Sequence, residues 1–143
     1  MKKIALILAS SILIFSGCAT TPTDDKPRGV AALQGDKRLG EQVDKICFNR
    51  SIDGFSATTK DTVVLKRGVS DEYLVEVFGI CRDLDRAQSI GIASRQSCLS
   101  ANDSLIVSTS AFSLNDGTGI GPDRCRINRI FKWDAKALDE AEL

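Results

Sequence analysis

The fold is decided by residues 62–78, which read TVVLKRGVSDEYLVEVF. Two runs rich in β-branched, aromatic and leucine residues, 62–66 and 73–78, flank a polar segment that contains Gly68. Runs of this composition, separated by a short glycine-containing loop, are typical of two antiparallel strands. The stretch therefore predicts a β-hairpin.

The second run also indicates how the hairpin is buried. Successive side chains of a strand point to opposite faces of the sheet. Positions 73, 75 and 77 share one face and are all apolar or aromatic, whereas Glu76 is the only charge on the face of positions 74, 76 and 78. We therefore expect this strand to be covered on much of both faces.

Further short runs with strand character lie on both sides of the hairpin. Turn residues separate them, including Asp53-Gly54, which marks a turn or a bulge. The runs are residues 46–49, 52–55, 89–93, 104–108 and 124–133, with a marginal one at Phe112 and Leu114. Six or seven short strands predict a mostly β domain, folded as a small antiparallel barrel or sandwich.

Two short helices are expected at the ends of this domain. Residues 36–45 place Leu39 and Val43 four positions apart, and Asp36 is a suitable N-cap. At the other end, Asp134 can cap a short helix that runs to Leu143. The predicted β domain covers residues 36–134, and residues 135–143 form a short C-terminal helix or tail.

The N-terminal segment has the pattern of an export signal. Residues 2–3 are lysines, Ile4–Phe15 is a short apolar run, and the small residues Ser16-Gly17 precede Cys18. Twelve helical residues rise only about 18 Å, against about 30 Å of bilayer hydrocarbon. The run is therefore too short for a permanent span, and Phe15–Cys18 resembles the lipobox of bacterial lipoproteins.

This interpretation predicts a signal peptide, residues 1–17, and a mature chain that begins at an acylated Cys18 carrying palmitate-type chains. Ala19, in place of aspartate, favours the periplasmic leaflet of the outer membrane in the bacterial cell envelope. A plain secretory signal and a buried apolar helix are the alternatives. Residues 18–35 contain two prolines, two glycines and many polar residues, which predicts a lipidated, flexible tether. Val30–Leu33 is apolar enough to dock on the domain, but the flanking glycines argue against a firm element.

Composition excludes several kinds of chemistry. The chain has 19 basic and 19 acidic residues and no histidine. Removal of residues 1–17 takes away two lysines, and the resulting slight acidic excess gives no reason to expect nucleic acid or an anionic surface as a partner. Without histidine, Ser-His-Asp and Cys-His nucleophiles and all histidine-containing metal sites are excluded.

The four cysteines after Cys18 predict a disulfide framework, because exported proteins fold under oxidising conditions. A four-cysteine zinc site is the alternative, but the cysteines lack the close pairs that such sites use. Three pairings are possible. We predict Cys47–Cys125 and Cys81–Cys98, because first and last strands often neighbour each other when a sheet closes, and because Cys81 and Cys98 bracket one strand.

Three further groups of residues are candidates for chemistry. The glycine-rich segment Asn115–Asp123 loosely resembles a phosphate or calcium loop but lacks the residues of either motif, which favours a hairpin loop. Five carboxylates could serve a glycoside hydrolase: Asp71, Glu72, Glu76, Asp83 and Asp85. Eight basic residues could form a face for an anionic envelope polymer: Lys45, Arg50, Lys66, Arg67, Arg124, Arg126, Arg129 and Lys132.

Several motifs carry a resemblance to a known group of proteins. They are Cys47-Phe48-x-Arg50-x-Ile52-x-Gly54-Phe55, Asp61-x-Val63-Val64-Leu65, Tyr73–Phe78 and Cys81-x-Asp83-Leu84. Over about residues 44–131, the chain resembles small Gram-negative envelope lipoproteins of unknown function. The resemblance implies a lipidated protein with a compact, mostly β domain and no known catalytic residues. A looser likeness in architecture is to periplasmic lysozyme-inhibitor lipoproteins.

The sequence therefore predicts a non-enzymatic, lipid-anchored envelope protein that binds a protein or cell-wall partner. We expect no metal, no cofactor and no nucleic acid partner. Inhibition of lysozyme or another hydrolase is the alternative function, and a carboxylate-based hydrolase is a third.

Overall fold

The computed structural model describes residues 26–56, 58–110 and 122–137. These residues form nine strands and a few short 3₁₀ turns. The strands are β1 (Leu39–Val43), β2 (Lys45–Cys47), β3 (Ile52–Ser56), β4 (Thr62–Arg67), β5 (Asp71–Val77), β6 (Ser89–Ala93), β7 (Cys98–Ser100), β8 (Ser104–Ser108) and β9 (Asp123–Trp133). The prediction of a mostly β domain is confirmed.

Seven strands form one antiparallel sheet that curls into a nearly closed barrel. Their order is β3-β4-β5-β9-β8-β6, and β1 pairs with β9 beside this path. The predicted hairpin is β4 and β5, paired from Thr62 opposite Glu76 to Arg67 opposite Asp71. β2 and β7 form a separate two-stranded ladder.

β9 connects the parts of the sheet because it is long enough to pair with three strands. Its residues 123–126 pair with β8, residues 127–133 pair with β5, and residues 130–133 also pair with β1. A register shift between Glu76 and Val77 interrupts the pairing of β5 with β9. The last of the described strands is therefore the centre of the fold.

The barrel interior is filled by aliphatic side chains from nearly every strand. Leu65, Leu105 and Ile127 are among the fully buried ones, and the β2–β7 ladder adds Ile46 and Leu99. Burial of each such side chain contributes about 1.5–3 kcal/mol. The interior is a packed core of valine, isoleucine and leucine.

A second, smaller cluster lies on the outer face of the sheet, beneath the 3₁₀ helix Gly29–Leu33. Its buried members are Val30, Val64, Leu74, Phe131 and Trp133. Within β5, Leu74 packs in this outer cluster and Val75 packs in the barrel interior. The prediction that this strand is covered on much of both faces is confirmed.

The docked 3₁₀ helix contradicts part of the predicted flexible tether. The Gly29 N–H donates to Asp61 Oδ2 at 3.0 Å, and the Val30 N–H donates to Glu76 Oε1 at 3.0 Å. Residues 29–33 therefore belong to the folded domain, and the prediction of a flexible tether as far as residue 35 is wrong for them. The predicted signal peptide and Cys18 lie outside the described residues.

The predicted helix over residues 36–45 is also wrong, because these residues form β1 and the start of β2. At the other end, the described chain has one 3₁₀ turn at residues 135–137, and the Lys136 N–H donates to Asp134 Oδ1 at 3.0 Å. The remainder of the predicted C-terminal helix lies outside the described residues, as does the marginal strand at Phe112 and Leu114. Within the described ranges, no helix has the length and apolar character needed to cross a bilayer.

Both disulfides pair differently from the prediction. The bonds are Cys47–Cys98 and Cys81–Cys125. Cys47 lies directly opposite Cys98 in the β2–β7 ladder, with 3.9 Å between the Cα atoms. The predicted pairs Cys47–Cys125 and Cys81–Cys98 are wrong because Cys47 lies on a strand that leaves the main sheet, so it does not neighbour β9.

Candidate binding site

The barrel does not close between β3 and β6. These strands end the sheet order, so each has one edge that pairs with no other strand in the described part of the chain. A cleft of about 420 Å³ lies between them, lined by residues 52–55 on one side and residues 88–90 and Ile92 on the other. Unpaired strand edges present N–H and C=O groups that can pair with a further strand.

This cleft continues past the start of β3 into a wider part of about 830 Å³. Ile52, Ile90 and Ile92 line both parts and also pack against the barrel core. The wider part is lined in addition by residues 48–51 and 94–97. We call the whole surface, residues 48–55 and 88–97, the seam cleft.

Phe48 is the most unusual residue of the seam cleft. The residue is 72% exposed, and its backbone is left-handed, with φ of 60°. A non-glycine residue in this conformation costs about 1–3 kcal/mol and persists only where neighbours hold it. The Asn49 N–H donates to the Ser97 carbonyl at 2.9 Å, and Cys47 is bonded to Cys98. The fold therefore presents an exposed aromatic side chain beside the cleft, from a backbone that is held on both sides.

The wider part of the seam cleft carries positive charge. Arg50 and Arg95 line it, and no carboxylate does. Neither arginine takes part in an ion pair within the described ranges. Asp53 lines the narrower part. The site thus combines an isoleucine floor, free backbone groups and two cations without counterions at one end.

The five carboxylates predicted as hydrolase candidates do not form a site together. Each one has a basic partner. The pairs are Asp71–Arg67, Glu72–Lys66, Glu76–Arg129, Asp83–Arg86 and Asp85–Arg86. Three of the carboxylates lie on β5, and the other two lie between β5 and β6.

Glu76 is the most buried of them, with 6% of its surface exposed. Its carboxylate accepts hydrogen bonds from Asn128 Nδ2 at 2.8 Å, from Arg129 Nε at 2.7 Å, and from the Val30 N–H. Burial raises the pKa of Glu76, but the bonds from Arg129 and Val30 outweigh it, so the pKa lies below its ordinary value. With every acceptor direction used internally, Glu76 acts as a structural link between the 3₁₀ helix and the sheet.

The eight basic residues predicted as one face are divided by the fold. Lys66, Arg67, Arg129 and Lys132 are neutralised by carboxylates. Arg50 lies at the seam cleft, Lys45 lies at the start of β2, and Arg124 and Arg126 lie at the start of β9. Within the described ranges, no group of three or more cysteine or acidic side chains could hold a metal ion. Most of the Asn115–Asp123 segment lies outside the described residues.

Sequence reasoning missed the seam cleft. Its floor residues have the composition of any strand core, and the segment with Arg95 reads only as a polar loop. The Phe48–Arg50 segment gave one indication of a binding surface, because an aromatic residue and a cation follow a cysteine there without the pattern of a buried strand. That indication does not show which strands border the site.

Neither the curated proteins nor the solved structures contain a match to this chain. A protein-family model does match, over residues 1–143. The chain belongs to that family, which is described as a family of unknown function (DUF6491).

Proposed function

We propose that this member of a family of unknown function is a lipid-anchored, non-enzymatic binding module of the bacterial cell envelope. Its proposed ligand is an extended segment of an envelope protein, held in the seam cleft. The observation that carries the proposal is the pair of strand edges, β3 and β6, that have no partner strand among the described residues and lie on either side of an apolar floor.

Such a cleft suits a polypeptide in extended conformation. An added strand gains main-chain hydrogen bonds from a free edge, and its alternate side chains enter the pockets below. Ile52, Ile90 and Ile92 supply the apolar surface for those side chains. A glycan would leave many of the strand-edge N–H and C=O groups unpaired, so the edges favour a protein over a cell-wall polymer.

Charge restricts the ligand further. Arg50 and Arg95 are without carboxylate partners in the described structure and lie at one end of the cleft. Partly exposed ion pairs contribute about 0.5 kcal/mol each. An extended segment with acidic residues near one end satisfies both arginines and the apolar floor.

Photo-crosslinking in intact cells tests this site. A photoreactive phenylalanine analogue at Phe48 is expected to form an adduct with one polypeptide, while the same analogue at Val69, equally apolar and fully exposed on the β4–β5 loop, is not. When the analogue at position 48 is combined with Arg50→Ala and Arg95→Ala, the crosslinking yield should fall about fivefold, because two exposed ion pairs with the ligand are lost. Lys37→Ala with Lys132→Ala removes the same charge beside β1 and near the end of β9, and should leave the yield unchanged. Equal adducts from positions 48 and 69, or a purely glycan adduct, contradict the proposal.

The proposed anchor has a separate test at Cys18. The chain purified from bacterial membranes is expected to begin at Cys18 with the mass of a diacylglyceryl group, and to incorporate labelled palmitate. Cys18→Ser removes the thiol that bears the lipid, so label and membrane attachment should both be lost. A mature chain that begins at another residue without added acyl mass identifies a plain secretory signal instead. Intact-protein mass spectrometry distinguishes these outcomes.

The two other functions suggested by the sequence receive less support. The candidate hydrolase carboxylates are separated along β5 and the following loop, and each is paired with a base. Inhibition of lysozyme rests on barrel architecture, and a fold does not imply a function.

A further inference from the structure

A second surface combines exposed apolar side chains with cations. It adjoins the seam cleft where Arg95 and Arg124 line a common cleft of about 500 Å³. Phe78 and Ile80 follow the end of β5 and are 54% and 57% exposed. The start of β9 lies beside them, and the two segments line a shallow cleft of about 330 Å³. We call this surface the Phe78 face; its residues are Phe78, Ile80, Arg82, Asp123, Arg124 and Arg126. Lys60 adjoins it through its backbone.

The backbone beneath the Phe78 face is firmly held. The disulfide Cys81–Cys125 joins its two segments. The Phe78 N–H donates to the Arg126 carbonyl at 2.9 Å, and the Cys81 N–H donates to the Lys60 carbonyl at 2.7 Å. The exposed side chains of Phe78 and Ile80 are therefore presented by a rigid platform.

Positive charge exceeds negative charge on this face. Lys60, Arg82 and Arg124 take part in no ion pair in the described part of the chain, and Arg126 donates to Asn102 Oδ1 at 2.9 Å. The Arg126 guanidinium also lies 5.6 Å from the centre of the Phe78 ring.

Three carboxylates lie nearby, and two of them are engaged. Asp61 accepts hydrogen bonds from the Gly29 N–H and from Thr59, and Asp83 pairs with Arg86. Asp123 lines the cleft. The whole chain has equal numbers of basic and acidic residues, but on this surface the unpaired basic side chains outnumber the unpaired carboxylates.

The N-terminal segment enters the domain beside the Phe78 face. Asp61 connects the two, because its carboxylate accepts from the Gly29 N–H at 3.0 Å and its carbonyl accepts from the Val77 N–H at 2.9 Å. Residues 26–28 precede Gly29, are exposed and add Lys26 and Arg28. The 25 residues before them, which include Cys18, therefore join the domain on this side.

We propose that the Phe78 face rests on the surface of a lipid bilayer that contains anionic headgroups. Phe78 and Ile80 would enter the boundary between headgroups and acyl chains, while the surrounding arginines and Lys60 contact phosphates, as in interfacial membrane proteins. The position of the N-terminal segment and the charge both favour this occupant. A second copy of the chain would oppose like charges, and is disfavoured for that reason.

Vesicle binding tests the contact without relying on the proposed anchor. The mature chain from residue 19, which lacks the lipid-bearing cysteine, is mixed with vesicles that contain phosphatidylglycerol or with vesicles of phosphatidylcholine alone. Binding is expected only to the anionic vesicles and should weaken as salt is added, because exposed charges are screened. Failure of the anchor proposal at Cys18 would leave this result unchanged.

Two matched charge variants locate the contact. Arg82→Ala with Arg124→Ala should weaken binding about 25-fold, from about fivefold for each basic residue near an anionic surface. Lys37→Ala with Lys132→Ala removes the same charge beside β1 and near the end of β9, several residues along the sheet from Phe78. This variant should change binding less than about twofold, because those residues lie off the proposed contact. Equal losses in both variants would show attraction by net charge alone and overturn the proposal.

A fluorescent variant reports the depth of the Phe78 side chain. Phe78→Trp should show a blue shift on anionic vesicles and quenching by brominated acyl chains, against the background of the buried Trp133. Val69→Trp, on the exposed β4–β5 loop, should show neither change. Binding without quenching at position 78, or no binding to either kind of vesicle, overturns the proposal. Thermal unfolding of each variant confirms that the fold is retained.

Discussion

Replacing Cys47 and Cys98 together by alanine is expected to lower the free energy of unfolding by about 4 kcal/mol, the loop-closure value for this separation. The two cysteines are 51 residues apart, so the reduced chain gains much conformational freedom when it unfolds. Small domains have only about 5–15 kcal/mol of stability in total. Urea unfolding of the double variant and of the wild type measures the difference. A loss below about 1 kcal/mol would contradict the loop-closure account.

Replacement of Cys81 and Cys125 is the matched comparison, with a separation of 44 residues. The two losses should be nearly equal, because loop-closure entropy depends only weakly on length. Trypsin separates the four cysteines before reduction, since it cleaves after Lys45, Arg50, Arg67, Arg82, Arg95, Arg124 and Arg126. Peptide 46–50 should then remain joined to 96–124, and peptide 68–82 to 125–126. A bond between peptides 46–50 and 125–126 would restore the pairing predicted from the sequence.

Glu76→Ala is expected to lower the free energy of unfolding by about 3 kcal/mol. Removal of one partner from a buried ion pair typically costs about 3–5 kcal/mol, and the lower value applies because the Arg129 side chain is 42% exposed. The change leaves Asn128 and the Val30 N–H without their acceptor. Proteolysis should then cleave near residues 29–33 before the barrel unfolds. Glu41→Ala, on the exposed pair with Lys132, is the control and should cost less than about 1 kcal/mol.

The same carboxyl predicts a pH dependence. Because the pKa of Glu76 is lowered in the folded chain, its contribution to stability is present above its ordinary value of 4.5 and is lost as pH falls through the lower folded-state value. Hydrogen bonds from the Arg38 side chain lower the pKa of Asp36 to about 2, which acts in the same direction. The Glu76→Gln variant retains Asp36, so the difference in melting temperature between this variant and the wild type reports the contribution of Glu76 alone. This difference in melting temperature should shrink on acidification below pH 4.5; a constant difference would contradict the assignment.

Gly29→Ala tests the same docking contact by a change in the 3₁₀ helix instead of in β5. Gly29 has φ of 62°, and a Cβ atom there would lie 2.2 Å from Glu76 Oε1. The variant should therefore release the same N-terminal residues as Glu76→Ala. Gly35 also has a positive φ, but no atom lies near its Cβ position. Gly35→Ala is thus a matched control for the conformational cost alone.

The hairpin of β4 and β5 was predictable because local pattern and burial agree there. The error at residues 36–45 has a definite physical cause. Leu39 and Val43 are four positions apart, which favours a helix, but a register shift between Leu39 and Gln42 places them on opposite faces of the sheet. Leu39 packs in the outer cluster and Val43 packs against the barrel interior. Pairing with β9 overrides the local helical pattern.

The error in the disulfide pairing has a similar origin. The expectation that first and last strands are neighbours is correct for β1 and β9. Cys47, however, lies on β2, which turns away to pair with the three-residue strand β7. A strand this short, within a polar segment, leaves almost no periodic signal. The cysteine pairing therefore depended on an element that the sequence does not reveal.

The seam cleft was out of reach for a different reason. A cleft between β3 and β6 exists because the sheet stops short of closure, and closure depends on strand tilt and register around the whole barrel. Ile52, Ile90 and Ile92 look like core residues in sequence, and they do pack against the core. Only the arrangement of all the strands shows that these three side chains also line a cleft at the surface.

The docking of residues 29–33 also limits the distance between Cys18 and the folded domain. With acylation at Cys18, only about ten residues, 19–28, separate the lipid from the domain, and a fully extended chain of that length reaches about 36 Å. If Cys18 is acylated as proposed, the folded domain remains within that distance of the bilayer surface. The proposed ligand of the seam cleft would then have to reach the same layer, so the docking of the 3₁₀ helix would restrict partners by distance as well as by chemistry.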